Sequence, residues 1–256
     1  MRLGVCCFKP EHFAIAKEAG FDYVEGSLMD IAKMDEAEWK AYKRALSDSG
    51  LKAECFCCAL FGFSLVGDEI DYDGIAAYFD AALARAQEVG AQIVVIGSGK
   101  ARTIPEGYDR QKAIEQFCKV LSLCGDIAQK YDIRVVIEPL GPKETNLVNT
   151  VAQGKEIARL TNHSHVGCLV DFFHAYCANE TMDAVSETTD PVWHAHIARA
   201  NEDREVPRAE DAEQVKVWAD ALKLSGYDAR LSVEAIFNPD FKTAVFDTKP
   251  IIDCFK

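Results

Sequence analysis

Several things are missing from this chain. No stretch of its 256 residues approaches the ~18 consecutive apolar residues of a membrane-crossing helix. The opening segment, MRLGVCCFKPEHFAIAKEAG, has neither a long apolar run nor a small-residue cleavage site, so no export signal is read there. The ten cysteines do not include the two CxxC pairs that a zinc knuckle needs. Cys55, Cys57, Cys58 and Cys168 lie within apolar runs, where a reduced thiol behaves as a small hydrophobe. A reduced, cytoplasmic protein without membrane attachment is the expectation. Positive charge is in deficit, with 28 Lys and Arg against 41 Asp and Glu. The resulting net charge of −13 repels nucleic acid and anionic membranes alike. No linker or low-complexity tract interrupts the chain, so residues 1–256 are read as one domain.

What is present is a repeated unit: an amphipathic helical segment, a Gly or Asn/Asp break, then a short apolar strand. "AKEAGFDYVEG", "DSGLKAECFCC", "EVGAQIVVIGS", "KYDIRVVIEPL", "NHSHVGCLVDF" and "LSGYDARLSVEA" share it, with Gly20, Gly50, Gly90 and Gly226 where a helix C-terminus wants a left-handed residue. Eight strands are expected, at Leu3–Phe8, Tyr23–Gly26, Ala53–Ala59, Ile93–Gly97, Arg134–Pro139, Val166–Phe172, Val192–Ala198 and Arg230–Ile236. Helices such as Asp35–Ser47, Ile75–Val89, Arg110–Lys130 and Asp211–Leu224 separate them. Strict alternation over this length predicts an α/β fold, a (β/α)8 TIM barrel. A doubly wound open sheet would need a Gly-rich turn after the first strand, and "VCCFKPEH" has none.

In such a barrel the chemistry sits at the C-terminal ends of the strands. Strand five, in "VVIEPLGPKETN", ends in Glu138, and strand six ends in Asp171, with His174 three residues on. Strand seven carries His194 and His196, and strand eight ends in Glu234. Singly, a carboxylate at a strand end is more often a helix N-cap, and a strand histidine is more often a core residue. Together the set is harder to explain that way, because three converging carboxylates repel one another unless a cation separates them. An oxygen-rich set with one imidazole suits Mn2+, Mg2+ or Co2+. His196 lies nearer the rim than His194, which reads as a packing or supporting residue.

The segments IEPLGPKETNLVNT, VDFFHAY, HAHIA and LSVEA resemble the xylose isomerase-like barrel superfamily, and within it the sugar phosphate isomerase/epimerase group that includes ketose 3-epimerases (tagatose/psicose 3-epimerase). The resemblance implies one divalent ion, Mn2+ ahead of Mg2+ or Co2+, held by Glu138, Asp171, His196 and Glu234. It makes Glu138 and Glu234 the catalytic acid/base pair and Glu144 and His174 substrate contacts. An arginine after the strand-seven histidine completes the family's site. Arg204 is favoured over Arg199, although neither has the usual spacing. Similar proteins are commonly homodimers.

The implied reaction is metal-dependent proton transfer through an enediolate of a small carbohydrate, an epimerisation or an aldose–ketose isomerisation. An inosose dehydratase-like lyase could use the same metal, and an inactive sugar-binding barrel is the reading from outside catalysis. The endonuclease branch needs several more histidines on early strands, whereas of the six here His12 falls in or near the first helix and His163 and His165 precede strand six. "VVIGSGKAR" departs from the epimerase pattern: Gly97, Ser98, Gly99, Lys100 and Arg102 read either as an anion-binding turn or as a tight turn with solvated basic residues. Phe8, Cys57 and Phe61 read as an apolar pocket wall or as core.

Overall fold

The computed structural model describes all residues from Met1 to Lys256. Eight strands close into a barrel in chain order: β1 (Arg2–Cys6), β2 (Tyr23–Ser27), β3 (Ala53–Cys57), β4 (Ile93–Ile96), β5 (Arg134–Ile137), β6 (Val166–Asp171), β7 (His194–Ile197) and β8 (Arg230–Val233). Every neighbouring pair is parallel, and β8 returns to β1 with Val233 opposite Val5. The chain is therefore a (β/α)8 TIM barrel.

Ten α-helices lie between and after the strands: α1 (His12–Glu18), α2 (Leu28–Lys33), α3 (Glu36–Ser49), α4 (Tyr72–Glu88), α5 (Arg110–Gln129), α6 (Val151–Thr161), α7 (Phe172–Cys177), α8 (Asp183–Ser186), α9 (Ala212–Leu224) and α10 (Phe241–Ile252). None is long and apolar enough to cross a membrane. Local sequence sets their ends. Asp35 and Glu38 form a reciprocal capping box at the start of α3, and Gly50 ends that helix with φ of 71°.

Strand residues alternate between two cores. Val94 and Ile96 of β4 join the large layer of 65 buried residues between barrel and helices. Ile93 and Val95 point the other way, into an inner cluster with Cys6, Tyr23, Cys55, Cys57, Val136 and Leu169. That inner cluster is the floor on which the site rests.

The strands stop short of the expected ends at all positions except β2. The residues expected to continue them leave the strand ladder at the rim instead. Glu138 shows the transition: it lies past β5, yet its N–H still donates to the Ile96 carbonyl at 3.2 Å. Pro139 follows and has no N–H with which to extend the pairing.

Candidate active site

The last four strands bring Glu138, Asp171, His196 and Glu234 to one rim, where one potential ligand atom from each lies within 4.8 Å of the others. Asp171 serves two purposes. Its Oδ1 caps α7, accepting from Phe173 N–H at 2.8 Å and His174 N–H at 3.4 Å, while Oδ2 faces the cluster. The N-cap explanation and the cluster explanation hold for this residue at once.

Around the four stand the other expected residues. Arg204, at φ of 51°, sends its Nη2 between Asp171 Oδ2 (2.8 Å) and Glu234 Oε2 (2.7 Å), and its Nη1 lies 3.2 Å from His174 Nε2. Arg199 instead turns outward to Glu210 and Asp211, 2.9 Å from each. His174 is buried, 3.4 Å through Nδ1 from the half-exposed Glu144. A recess of about 300 Å3 bounded by Glu144, Phe173, Tyr176 and Asn201 opens beside these groups. The larger cavity, about 480 Å3 near Lys155, His163 and Trp193, shares no residue with the cluster.

Beneath His196 lies a residue that the sequence reading passed over. Glu25, buried on β2, places Oε1 3.0 Å from His196 Nε2 and Oε2 3.0 Å from His194 Nε2. His196 therefore turns Nε2 to the barrel floor and Nδ1 to the rim, 3.2 Å from Glu138 and 3.0 Å from Glu234. His194 supports Glu25 rather than the rim. The available signal was the one charged residue of the short strand "YVEGS".

Electrostatics separate the two rim glutamates. Burial pushes the Glu138 carboxyl up, and the neighbouring Glu234 carboxylate adds to the rise. Burial also works to raise Glu234, but the Arg204 and His196 cations outweigh it and hold that carboxyl well down. In the ion-free site the two carboxyls are thus pushed apart in proton affinity, Glu138 upward and Glu234 downward. Three carboxylates gathered beside an imidazole also make a hard, oxygen-rich donor set that fits a divalent cation.

The GSGKAR turn divides the two expectations: Lys100 is solvated, as the tight-turn reading has it, and Arg102 fits neither. Arg102 is fully buried and donates to the Ile96 carbonyl at 3.2 Å and to the Glu138 carbonyl. Two of its nitrogens are spent on backbone while Nε has no partner, and burial keeps the group from solvent. Lys100 is exposed. Gly97 has a steric purpose: a Cβ there would fall 1.8 Å from Glu138 Oε2. Phe8 and Phe61 are about half exposed rather than core, while Cys57 is buried in the inner cluster.

The model of the xylose isomerase-like TIM barrel family matches residues 13–245. The chain belongs to that family. Two curated relatives are sugar epimerases. A probable ketose 3-epimerase of Synechocystis sp. is 25% identical over 231 residues, 87% of this chain and 77% of the relative. The 3-dehydro-D-guloside 4-epimerase of Escherichia coli is 25% identical over 203 residues, 73% of each chain. Among solved structures, the apo 3-keto-D-glucoside 4-epimerase from E. coli superposes with a TM-score of 0.82 at 20% identity, covering 99% of both chains. This xylose isomerase-like barrel thus has the fold along its whole length and sugar epimerases among its relatives.

Proposed function

We propose that this xylose isomerase-like barrel is a divalent-metal-dependent sugar epimerase or isomerase that moves a proton next to a carbonyl. The observation that carries the reading is the convergence of Glu138, Asp171, His196 and Glu234 on one point, with two glutamates in opposed electrostatic settings. A divalent ion held by those four, Mn2+ by preference, would supply electrophilic stabilisation of the negative charge that develops on the substrate oxygen.

This chain's own residues supply the rest. Glu234, paired with Arg204, is placed to take the C–H proton, and Glu138 to return one from the other side. The reverse direction exchanges the roles. His174, positioned by the Gly141 N–H at 3.2 Å and by Glu144, faces the substrate's oxygens together with Arg204. The relatives' activities on keto sugars support a small carbohydrate as substrate. Ten unpaired cysteines accord with a reduced compartment.

The test is incubation of the Mn2+-loaded protein with ketoses, sugar phosphates and inososes in deuterated water, followed by NMR. Epimerisation or isomerisation with deuterium incorporated beside the carbonyl is expected. Loss of water from an inosose would move the protein to the lyases. Absence of exchange with every substrate would leave a binding protein. Glu234→Gln is expected to abolish the exchange, and full exchange in that variant would remove Glu234 as an acid/base group.

A further inference from the structure

Glu138 lies one residue past the end of β5, yet its backbone is held at both ends. The β4–β5 ladder pairs Ile96 with Ile137 and stops there. One residue on, the Glu138 N–H still donates to the Ile96 carbonyl at 3.2 Å. The Glu138 carbonyl accepts from Arg102 Nη2, and Arg102 Nη1 donates at 3.2 Å to that same Ile96 carbonyl. The guanidinium thus bridges the two strands just past the ladder, in the place of a further strand donor.

Arg102 is an unexpected group to find there. It is fully buried, the atoms it donates to are uncharged carbonyl oxygens, and its Nε has no partner. Its Cζ lies 5.7 Å from the centre of the Phe117 ring. A guanidinium taken out of water with only carbonyl acceptors, and with a donor left over, destabilises a fold. An apolar side chain of similar length would fill the space without that penalty. Departures of this kind concentrate at functional sites, and the residue held here carries the first carboxylate of the rim cluster.

The turn that bears Arg102 has anchors of its own. Ile104 N–H donates to Asn146 Oδ1 at 2.7 Å, and Asn146 Nδ2 donates to the Ile104 carbonyl at 3.0 Å. Thr103 Oγ1 donates to the Gly99 carbonyl at 3.0 Å, and Leu65 N–H to the Ala101 carbonyl at 2.7 Å. Holding the turn in place therefore does not require the guanidinium.

We infer that Arg102 is a positioning residue, which fixes the aim of the Glu138 carboxylate by gripping the Glu138 main-chain carbonyl. The inference rests on the reading of Glu138 as a metal ligand and acid/base group. Fully buried, Arg102 acts through the backbone rather than on the substrate. The Glu138 carboxylate has little room in which to absorb a backbone shift. A Cβ at Gly97 would already fall 1.8 Å from its Oε2, and its Oε1 lies 3.2 Å from His196 Nδ1. A planar fork suits the task because it presents N–H groups in fixed geometry, whereas a lysine offers one compact charge.

The experiment compares the full-length wild type with Arg102→Met, Arg102→Lys and Thr103→Val. Calorimetry gives Mn2+ affinity, and exchange in deuterated water gives kcat and KM with the ketose, sugar phosphate or inosose that the wild type turns over fastest. Arg102→Met is expected to lower kcat about 100-fold, as a displacement near 1 Å does, with KM little changed. Its Mn2+ affinity is expected to fall about tenfold. Arg102→Lys keeps the charge without the fork and is expected to recover about a tenfold share of the lost kcat. Thr103→Val loosens the same turn without touching Glu138, so its melting temperature is expected to fall while kcat and Mn2+ affinity stay as in the wild type. Should Arg102→Met fail to fold, Arg102→Lys is read alone, with a kcat loss of about tenfold at unchanged KM expected. A wild-type kcat in the folded Arg102 variants, a loss confined to KM, or an equal loss in Thr103→Val would overturn this inference alone. A wild-type protein that neither binds Mn2+ nor exchanges any substrate proton would overturn the proposed function and this inference with it.

Discussion

Glu25 Oε1 lies 3.0 Å from His196 Nε2, so a carboxylate on the second strand sets the orientation of an imidazole on the seventh. The other oxygen of Glu25 does the same for His194 at 3.0 Å. A carboxylate can accept from both rings, whereas a glutamine offers one accepting oxygen and one donating NH2. Glu25→Gln therefore forces one ring to flip or change tautomer. With His196 Nδ1 no longer held toward the rim, Mn2+ affinity is expected to fall by ~10–100-fold. Calorimetric titration of the folded variant measures it, and unchanged affinity would remove Glu25 from the site.

Gly97 and Glu138 make a second such pair across β4 and β5. A Cβ at residue 97 would lie 1.8 Å from Glu138 Oε2, so Gly97→Ala must displace that carboxylate. Displacement of a reacting group by about 1 Å costs on the order of 100-fold in rate. The variant is expected to lose that much kcat while its melting temperature changes little. A wild-type rate would show that Glu138 has another productive position.

These two pairs also show what the sequence made legible. The barrel could be read because each strand–helix unit carries its own local signals, such as the Asp35 cap and the Gly50 terminus. Glu138, Asp171 and Glu234 could be read because each closes a strand, and His196 because it lies nearer the rim than His194, so their convergence needed only the fold. Glu25 escaped because its meaning lies in partners far along the chain, at His194 and His196. The GSGKAR turn misled for the same reason: Arg102 reads as a free cation until the Ile96 and Glu138 carbonyls are seen to take its donors.

Arg204 and Arg199 stand on the same loop but face opposite ways. Arg204 neutralises Asp171 and Glu234, the carboxylates that a divalent ion would also need. Arg204→Ala is expected to tighten Mn2+ binding by about tenfold, equivalent to about 1.4 kcal/mol, as a competing cation leaves. The same change is expected to lower kcat/KM at least tenfold through the lost substrate contact. Arg199→Ala cuts only outward ion pairs and is expected to change neither measurement by more than about twofold. Parallel losses in the two variants would contradict this division.

The buried charges on Glu25 and His196 give the metal-free protein a defined pH response. Burial disfavours the Glu25 carboxylate, but His196 and His194 outweigh it and hold its carboxyl well below the ordinary value. That stabilisation is complete above about pH 4.3 and is lost as acid drives the pH down through the folded-state value. Burial disfavours the His196 imidazolium, but Glu25 and Glu234 raise the ring well above its usual range. Its stabilisation is complete below about pH 6.5 and is lost as rising pH passes the folded-state value. An ion bound through Nδ1 must displace that proton, so binding is favoured as the proton becomes easier to remove. Thermal melts of chelator-treated protein between about pH 6 and pH 8 are expected to show a Mn2+-induced gain in Tm that grows with pH. A gain that stays constant or shrinks over that range would mean that His196 is not a ligand of the ion.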